Sequence, residues 1–265
     1  MSKKVILITG GSSGIGFATA KYFLKNNWSV IISSSNIEKL TNAKNKIIND
    51  DNIENLHPIK CDITNKKEIA DTISYIENEI GNIKIALLNA AAYSPNKNQE
   101  FDISNYELLI DVNLKGTLYC IDALKEVMKN KDGTIAIVSS PIGYRGWPTS
   151  GAYGMTKAAQ LNLSESLYFD FKKIGIKMRV INPGFIDTEA TRLNSFKMPF
   201  LKSADFAAEK IYNGLVNKKK FEIFFPFTIV FCVKILRILP YRLYFYLWKK
   251  IGNFNLIRQY KFLIP

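Results

Sequence analysis

Short apolar segments alternate with longer segments of helical periodicity along the first 225 residues. The apolar segments predict seven strands, near residues 5–8, 30–33, 56–60, 85–89, 134–139, 177–181 and 221–225. Most are continuously apolar, which is typical of strands covered on both faces of a sheet. The intervening segments predict helices near residues 15–26, 37–49, 66–80, 104–129, 152–173 and 204–217, with Ser104 and Glu107 as a capping box for the fourth. This order predicts an α/β fold, a doubly wound parallel sheet with helices on both faces.

The pattern changes after residue 225. Two apolar and aromatic segments, 227–239 and 241–251, are interrupted by cations, and each is long enough for two or three helical turns. We therefore predict one domain at residues 1–225 and a C-terminal helical extension at residues 226–265. No run of 18 uncharged apolar residues occurs, so a conventional membrane span is not predicted.

Composition narrows the class of protein and its chemistry. Of the 265 residues, 47% are hydrophobic and 22% are charged, as in an ordinary globular protein. Three scattered cysteines argue against a disulfide framework or a zinc site, and a single histidine argues against mechanisms that need several. We expect no metal and, since no secretory signal is recognisable, a reducing cytoplasmic location.

The positive charge is concentrated at the C-terminal end. The net charge is +13, and residues 218–265 hold ten basic residues and one acidic residue, which is +9 of that total. Any anionic partner would therefore be expected to bind the extension rather than the main domain.

A glycine-rich loop joins the first predicted strand to the first predicted helix. It reads Thr9-Gly10-Gly11-Ser12-Ser13-Gly14-Ile15-Gly16. Glycines allow a tight turn and let main-chain N–H groups approach a pyrophosphate at the positive end of the helix. The spacing Gly-x3-Gly-x-Gly after a threonine resembles the cofactor fingerprint of the short-chain dehydrogenase/reductase family.

That resemblance implies a Rossmann-type catalytic domain that binds NAD(P) and places further cofactor contacts after later strands. Asp62 and Ile63 match residues that meet the adenine in relatives, and Ala92 stands where relatives have a glycine. Asn182-Pro183-Gly184 resembles the family's Pro-Gly turn, and a substrate-covering loop is expected from there to Pro199. The implied cofactor-binding residues are Gly10, Ser12, Ser13, Gly14, Ile15, Gly16, Ser34, Ser35, Asp62, Ile63, Asn89, Ala90, Ala91, Tyr153, Lys157, Pro183, Gly184, Ile186 and Thr188.

The residues after the second predicted strand favour NADP over NAD. An acid at this place would accept the ribose hydroxyls of NAD and repel a 2′-phosphate, but the chain reads Ser33-Ser34-Ser35-Asn36. The Ser34 and Ser35 hydroxyls are suited to donate to a phosphate, and Lys39 is close in sequence. The arginine that many NADP-using relatives place here is absent, so NAD stays open as the alternative.

Tyr153 and Lys157 lie four residues apart, which places a phenol and an ammonium on one face of a helix. A free phenol has a pKa of about 10 and is a poor base at neutral pH. A nearby ammonium favours phenolate, so we expect Lys157 to lower the pKa of Tyr153 and make it a general acid/base.

Two further residues match the family's catalytic set. Ser140 lies thirteen residues before Tyr153, and Asn113 lies within a predicted long helix. The resemblance implies hydride transfer between the nicotinamide and a carbonyl or alcohol substrate. Ser140 would orient the substrate oxygen, Lys157 would also bind the nicotinamide ribose, and Asn113 would distort its helix and maintain a water-linked proton relay behind the lysine.

The basic, aromatic extension is open to two interpretations. Six aromatic side chains would suit a membrane interface, with cations meeting anionic lipid heads: Phe227, Phe231, Tyr241, Tyr244, Phe245 and Trp248. A hydrophobic or lipid-like substrate would then be favoured. The same residues would also suit packing on the domain or a subunit interface. A homodimer or homotetramer is expected.

Functions of other classes compete with the enzymatic one. A non-catalytic dinucleotide sensor or scaffold would keep the glycine loop, but such proteins usually lose the tyrosine or the lysine. Nucleic-acid binding is suggested only by net charge, and no recognisable module supports it, so no nucleic-acid partner is expected. An epimerase or dehydratase of the extended type is disfavoured by the glycine spacing and the chain length.

Overall fold

The computed structural model describes residues 4–47, 53–94, 101–194, 196, 198–218 and 220–255, and for residues 251–255 the backbone alone. Its strands are β1 Val5–Thr9, β2 Ser29–Ser34, β3 Leu56–Lys60, β4 Ile83–Leu88, β5 Gly133–Val138, β6 Ile176–Pro183 and β7 Glu222–Phe225. They form one seven-stranded sheet in the order β3-β2-β1-β4-β5-β6-β7, and every neighbouring pair is parallel. The predicted fold class is confirmed.

The helices are α1 Gly14–Lys25, α2 Ile37–Asn45, α3 Lys66–Tyr75, α4 Ile103–Leu109, α5 Gly116–Met128, α6 Gly151–Lys173, α7 Ala204–Tyr212, α8 Phe227–Ile238 and α9 Tyr241–Asn255. Three predicted helices end or continue in π-helical segments, at Ile76–Ile80, Ile110–Lys115 and Asn213–Lys218. The predicted capping box is wrong, because the carboxylate of Asp102 accepts from the Ser104 amide at 3.1 Å and caps α4. An aspartate at the N-cap competes well for that role.

Alternate side chains of each central strand enter two separate cores. In β1, Ile6 and Ile8 pack with side chains of α1, α2 and α7 on one face. Val5 and Leu7 point to the other face and pack with α3, α5 and α6. Both faces are therefore covered, which explains why the strands are continuously apolar in sequence.

The extension forms two helices that follow the edge strand β7. Ile229, Val230 and Val233 of α8 are buried in a third, smaller core with Tyr144, Leu161 and Val180. Within the described ranges, no helix has the length and apolar character needed to cross a membrane.

Candidate active site

The strand order reverses at β1, which pairs with β2 on one side and β4 on the other. Crossover connections leave in opposite directions from such a point, so a crevice opens at the carboxyl ends of the strands. A cleft of about 1730 Å³ lies there, and the loops after β1, β2, β3, β4, β5 and β6 contribute to its wall. Its volume is sufficient for a dinucleotide together with a substrate.

The glycine loop is held against the end of β4 by a close main-chain approach and by the side chain of Asn89. Gly10 has a φ of +63°, and a Cβ atom there would lie 2.8 Å from Cα of Ala90. The side-chain amide of Asn89 donates to the carbonyl oxygens of Thr9 and Gly10, at 3.1 Å each. Only glycine satisfies both the conformation and the close approach at position 10.

The N-terminus of α1 opens into the cleft. Gly14 begins the helix with a φ of +53°, and the side chain of Ser13 makes no capping hydrogen bond. A Cβ atom on Gly14 would lie 3.2 Å from Cγ2 of Thr188, which follows β6. The N–H groups of the first turn therefore face a narrow cradle, and this arrangement fits the pyrophosphate of a dinucleotide.

The far end of the cleft carries hydroxyls and a cation. Ser34, Ser35 and Lys39 line it where β2 ends. Asp62 also lines it, but its carboxylate accepts from the amide and the hydroxyl of Thr64, at 2.9 and 2.8 Å. This end therefore presents donors suited to a phosphate, with the neighbouring carboxylate held by its own loop.

Ser140, Tyr153 and Lys157 line the middle of the same cleft. Ser140 follows β5, and its hydroxyl accepts from the Ile142 amide at 3.3 Å. Tyr153 and Lys157 lie on consecutive turns of α6, and Nζ of the lysine is 5.4 Å from the centroid of the tyrosine ring. The fold thus brings together three residues predicted from family spacing.

Lys157 is buried to 1% exposure, which is unusual for a lysine. Its ammonium donates to the carbonyl of Val138 and to Oε1 of Gln160, at 2.9 Å each. Burial lowers the pKa of Lys157 to about 7.

The pKa of Tyr153 shifts opposite to the direction predicted from its spacing. Burial raises this pKa, and the neighbouring phenol of Tyr93 raises it further. The two tyrosine rings pack edge to face at 4.9 Å. Because the hydrogen bonds of Lys157 go to Val138 and Gln160, desolvation dominates over attraction between ammonium and phenolate.

Asn113 lies behind the cleft. It is fully buried in the π-helical segment Ile110–Lys115, so the helix is distorted where the sequence predicts a distortion. Its side chain makes two hydrogen bonds with the main chain of Ala92, accepting from the amide at 2.8 Å and donating to the carbonyl at 3.1 Å. The side-chain amide also donates to Thr156 Oγ1 at 3.1 Å. Its main-chain carbonyl accepts from the side chains of Thr117 and Gln160.

The remaining end of the cleft is apolar. Trp147 lies in the loop after β5 and packs edge to face on Trp248 of α9 at 5.4 Å. Side chains of the loop after β6 and of α8 complete this wall: Phe185, Leu193, Phe196, Ile229 and Val233. Both helices of the extension therefore contribute to the site.

Arg145 joins the extension to the loop after β5. Its guanidinium lies 4.4 Å and 4.5 Å from the ring centroids of Tyr241 and Tyr244. It donates to the carbonyls of Arg237 and Leu239, at 3.1 and 3.2 Å, and the Tyr244 hydroxyl donates to the Gly146 carbonyl. These contacts fix the turn between α8 and α9 beside the site.

All predicted site residues except Gly16 and Asn113 line the cleft. A Cβ atom on Gly16 would lie 2.5 Å from the Gly10 carbonyl oxygen, so position 16 supports the loop from behind. Sequence reasoning missed Tyr93, Gln160 and the apolar wall. Gln160 had a signal, because it lies seven residues after Tyr153 and three after Lys157, on one helical face.

Comparisons with known proteins agree with this architecture. The model of the short chain dehydrogenase family matches residues 4–197. An uncharacterized oxidoreductase of Staphylococcus aureus strain MW2 is 30% identical over 192 residues, which cover 72% of this chain and 81% of the relative. Another, from strain USA300, is 29% identical over 214 residues, covering 80% and 91%.

Two solved structures have a fold similar to that of this chain. ElxO with NADP bound superposes with a TM-score of 0.74 at 28% identity, covering 84% of this chain and 97% of ElxO. A tyrosine-to-phenylalanine variant of ElxO with NADPH bound gives 0.75 at 27% identity, covering 84% and 96%. The predicted cofactor class, NADP or NAD, is confirmed at the level of the family. The chain therefore belongs to the short-chain dehydrogenase/reductase family of oxidoreductases.

Proposed function

We propose that the protein is an NADP(H)-dependent oxidoreductase that interconverts a carbonyl and an alcohol on an apolar substrate. One observation carries this proposal: a single cleft contains the glycine loop, the set Ser140, Tyr153 and Lys157, and an apolar wall. A non-catalytic sensor would have no need of the phenol and the buried ammonium in that cleft.

A nicotinamide dinucleotide held by the glycine loop and the N-terminus of α1 would supply or accept the hydride. Tyr153 Oη gives or takes the proton on the substrate oxygen, and Ser140 Oγ donates to the same oxygen and stabilises its developing charge. Because burial raises the pKa of Tyr153, the phenol stays protonated near neutral pH, as carbonyl reduction requires. A protonated Lys157 favours phenolate, so its charge opposes the effect of burial below about pH 7.

The decisive test replaces Tyr153 with phenylalanine and measures NADPH binding and NADPH oxidation separately. We expect binding to persist and turnover to fall by about 100-fold or more, since general acid catalysis is lost. The NADPH-bound phenylalanine variant of ElxO supports the first expectation. Unchanged turnover in the variant would contradict the proposed role of Tyr153.

NADP is favoured over NAD by the residues at the end of β2. Ser34, Ser35 and Lys39 line the cleft there and are suited to a 2′-phosphate. ElxO, with NADP bound, supports the same choice.

The apolar wall favours a hydrophobic carbonyl or alcohol. Trp147, Trp248, Ile229 and Val233 offer no charge to a polar substrate. A screen of NADPH and NADH oxidation with aldehydes of graded chain length tests this, comparing the native chain with Trp248→Ala. We expect the native enzyme to prefer long chains and the variant to lose that preference; equal activity on a sugar aldehyde would contradict it.

We also propose that the outer face of α8 and α9 contacts an anionic membrane surface. Large apolar side chains of these two helices are exposed: Phe227, Phe231, Ile235, Ile238, Tyr241, Leu243, Phe245 and Tyr246. Tyr244 is buried and Trp248 packs on Trp147, so neither belongs to this surface. Exposed cations border them: Arg237, Arg242, Lys249 and Lys250. An aromatic face bordered by cations is suited to the interface of a bilayer that carries anionic lipid.

Vesicle pelleting tests this contact with a matched pair of variants. Tyr246→Glu alters the proposed face, and Tyr75→Glu changes an equally exposed tyrosine on α3, at 52% and 53% exposure. We expect the native chain and Tyr75→Glu to pellet with phosphatidylglycerol-containing vesicles and Tyr246→Glu to stay in solution. Equal pelleting of both variants, or none by the native chain, would contradict the proposal.

We also propose that the catalytic domain ends at residue 225, that the protein forms a homo-oligomer, and that it is located in the cytoplasm. The division is supported by α8, which begins directly after the last strand of the sheet. Association is supported by exposed apolar side chains on α5 and α6, Leu118, Met155 and Phe169. Light scattering would give the mass of the assembly, limited proteolysis would locate the boundary, and cell fractionation would give the location.

A further inference from the structure

We propose that Gln160 is a positioning residue that fixes Lys157, by accepting a hydrogen bond from Nζ while it donates to the main chain of Asn113. The inference rests on the proposed function in one respect, because that function gives Lys157 its catalytic role. The contacts themselves involve neither cofactor nor substrate.

The Gln160 side chain forms a closed, buried network. It is 1% exposed on α6, one turn after Lys157. Its Oε1 accepts from Lys157 Nζ at 2.9 Å. Its Nε2 donates to the carbonyl of Asn113 at 2.8 Å and to Oγ1 of Thr117 at 3.2 Å. Each polar atom of the amide is therefore satisfied by a neighbour.

These partners permit only one orientation of the amide. If the group were rotated by half a turn, Nε2 would face the ammonium of Lys157, and Oε1 would face the carbonyl oxygen of Asn113. Both pairings are repulsive, because an ammonium only donates and a carbonyl only accepts. The network thus presents an acceptor, rather than a donor, to Lys157.

Two acceptors then determine which side of Lys157 Nζ remains for the cleft. An ammonium has three donors, and two are used by Gln160 Oε1 and the Val138 carbonyl. The third N–H of Lys157 is left for the cleft, because the Lys157 side chain lines the cleft beside Tyr153. When Lys157 is neutral, its lone pair takes that position, because both carbonyl-type acceptors keep their N–H donors.

The network also changes the proton path expected from the sequence. The carbonyl of Asn113 accepts from Thr117 at 2.7 Å and from Gln160 at 2.8 Å, which uses both of its lone pairs. A primary amide does not take up and release protons as a water does. Lys157 therefore exchanges its proton on the side of the cleft.

The test measures the pKa of Lys157 directly, by NMR of protein carrying lysine labelled with ¹³C at Cε. Burial places this pKa near 7, well below that of an exposed lysine, and a Lys157→Met sample identifies the signal. The titratable group that faces the ammonium is the phenol of Tyr153, on the same helix, and the ring of Tyr93 packs on the Tyr153 ring. No substrate or cofactor is needed, so absent turnover would affect the proposed function and leave this result intact.

Two variants and one control are compared. Gln160→Met keeps the length and removes the acceptor, so the midpoint should fall by about one pH unit. Gln160→Glu places a carboxylate on the ammonium, so the midpoint should rise by at least as much. Ser164→Ala is a buried change one turn further on that removes a hydrogen bond to the main-chain carbonyl of Gln160 and leaves the Gln160 side chain unaltered, so the midpoint should not change.

Shifts in these opposite directions would support the proposal. Midpoints equal to the native value in both Gln160 variants would overturn it, as would a shift of equal size in Ser164→Ala. If the methionine variant does not fold, the glutamate variant decides alone: a raised midpoint supports the positioning role, and an unchanged one removes it.

Discussion

The glycine-loop region, residues 9–16 with Asn89 and Ala90, and the extension, described to residue 255, form two parts of one cleft by different means. The first is determined by backbone geometry: a left-handed Gly10, close approach to Ala90 and carbonyls held by Asn89. The second is determined by side chains, with Arg145 between two tyrosine rings and Trp147 on Trp248. Recognition by the backbone suits the dinucleotide, which is the same in every reaction of the family, and a wall of side chains suits the substrate, which varies.

The two regions also differ in how they would respond to substitution. At Gly10 the backbone conformation disfavours any side chain, and at both Gly10 and Gly16 a Cβ atom would lie closer to its neighbours than van der Waals distance. Neither position therefore accepts another residue. Apolar contacts in the extension tolerate exchange of volume among neighbours. Single changes at these glycines should therefore weaken cofactor binding strongly, whereas changes in the extension should alter substrate preference and leave cofactor binding intact.

The largest expected effect is that of Gly10→Ala. The new Cβ atom would lie 2.8 Å from Cα of Ala90 in a conformation that disfavours side chains. We expect a loss of about 2–3 kcal/mol in the free energy of unfolding and about 100-fold in NADPH affinity. Gly146→Ala is the matched control, because a Cβ atom there would meet nothing within 4 Å. Equal behaviour of the two variants in calorimetry would contradict the backbone account.

Lys157 lies between the two regions, and its burial predicts a pH dependence of stability. Its folded pKa is about 7, and an unfolded lysine has a pKa of about 10.4. Between these values the unfolded chain binds more protons, so the free energy of unfolding rises with pH by up to about 1.4 kcal/mol per pH unit. Below pH 7 both states are protonated, and this contribution is flat.

Chemical denaturation of the native chain and Lys157→Met from pH 6 to 9 measures this contribution. The methionine variant lacks the titrating group, so its advantage in stability should be largest at pH 6 and should shrink above pH 7. Parallel curves for the two proteins would show that Lys157 titrates as an exposed lysine does.

The sequence predicts the first region far better than the second. The Gly-x3-Gly-x-Gly spacing encodes a backbone shape. All seven predicted strands occur, because a strand that is covered on both faces must be almost continuously apolar and is easily recognised in the sequence. A face such as that of Phe227, Phe231 and Ile235 has the same pattern whether it packs inward or outward. The contacts of Arg145 with α9 join residues about 100 positions apart and leave no local signal.

The catalytic helix lies between these cases. Tyr153 and Lys157 are predicted by spacing, but the direction of the Tyr153 pKa is not, because burial is a property of the fold. Gln160 continues the polar face of a buried helix, a pattern that indicates a network without naming its partners. Asn113 lies in a π-helical turn, its side chain hydrogen-bonds the main chain of Ala92, and no local sequence signal names that partner.

The third effect in size is that of Arg145→Ala. Loss of two hydrogen bonds and of two cation–π contacts should release the turn between α8 and α9 and displace the Trp147–Trp248 wall. We expect about tenfold lower kcat/KM for a long-chain aldehyde, which is about 1.4 kcal/mol, and unchanged NADPH affinity. Arg145→Lys keeps the charge but not the fork geometry, so it should resemble the alanine variant. Weakened NADPH binding would show that the two regions are not independent.

The smallest expected effect is that of Lys39→Ala. Lys39 is exposed where β2 ends, so its attraction to a 2′-phosphate is screened by solvent and should contribute about 1 kcal/mol, or roughly fivefold in NADPH affinity. NADH has no phosphate at this position, so its affinity should not change, and the NADPH effect should fade at high salt. Calorimetric titration with both cofactors at two salt concentrations measures the difference. Equal losses for NADPH and NADH would place Lys39 away from the phosphate and leave Ser34 and Ser35 as the residues that select the cofactor. A loss confined to NADPH would show that a side-chain charge at the end of β2 adds to the cofactor binding that the glycine-loop region provides through its backbone.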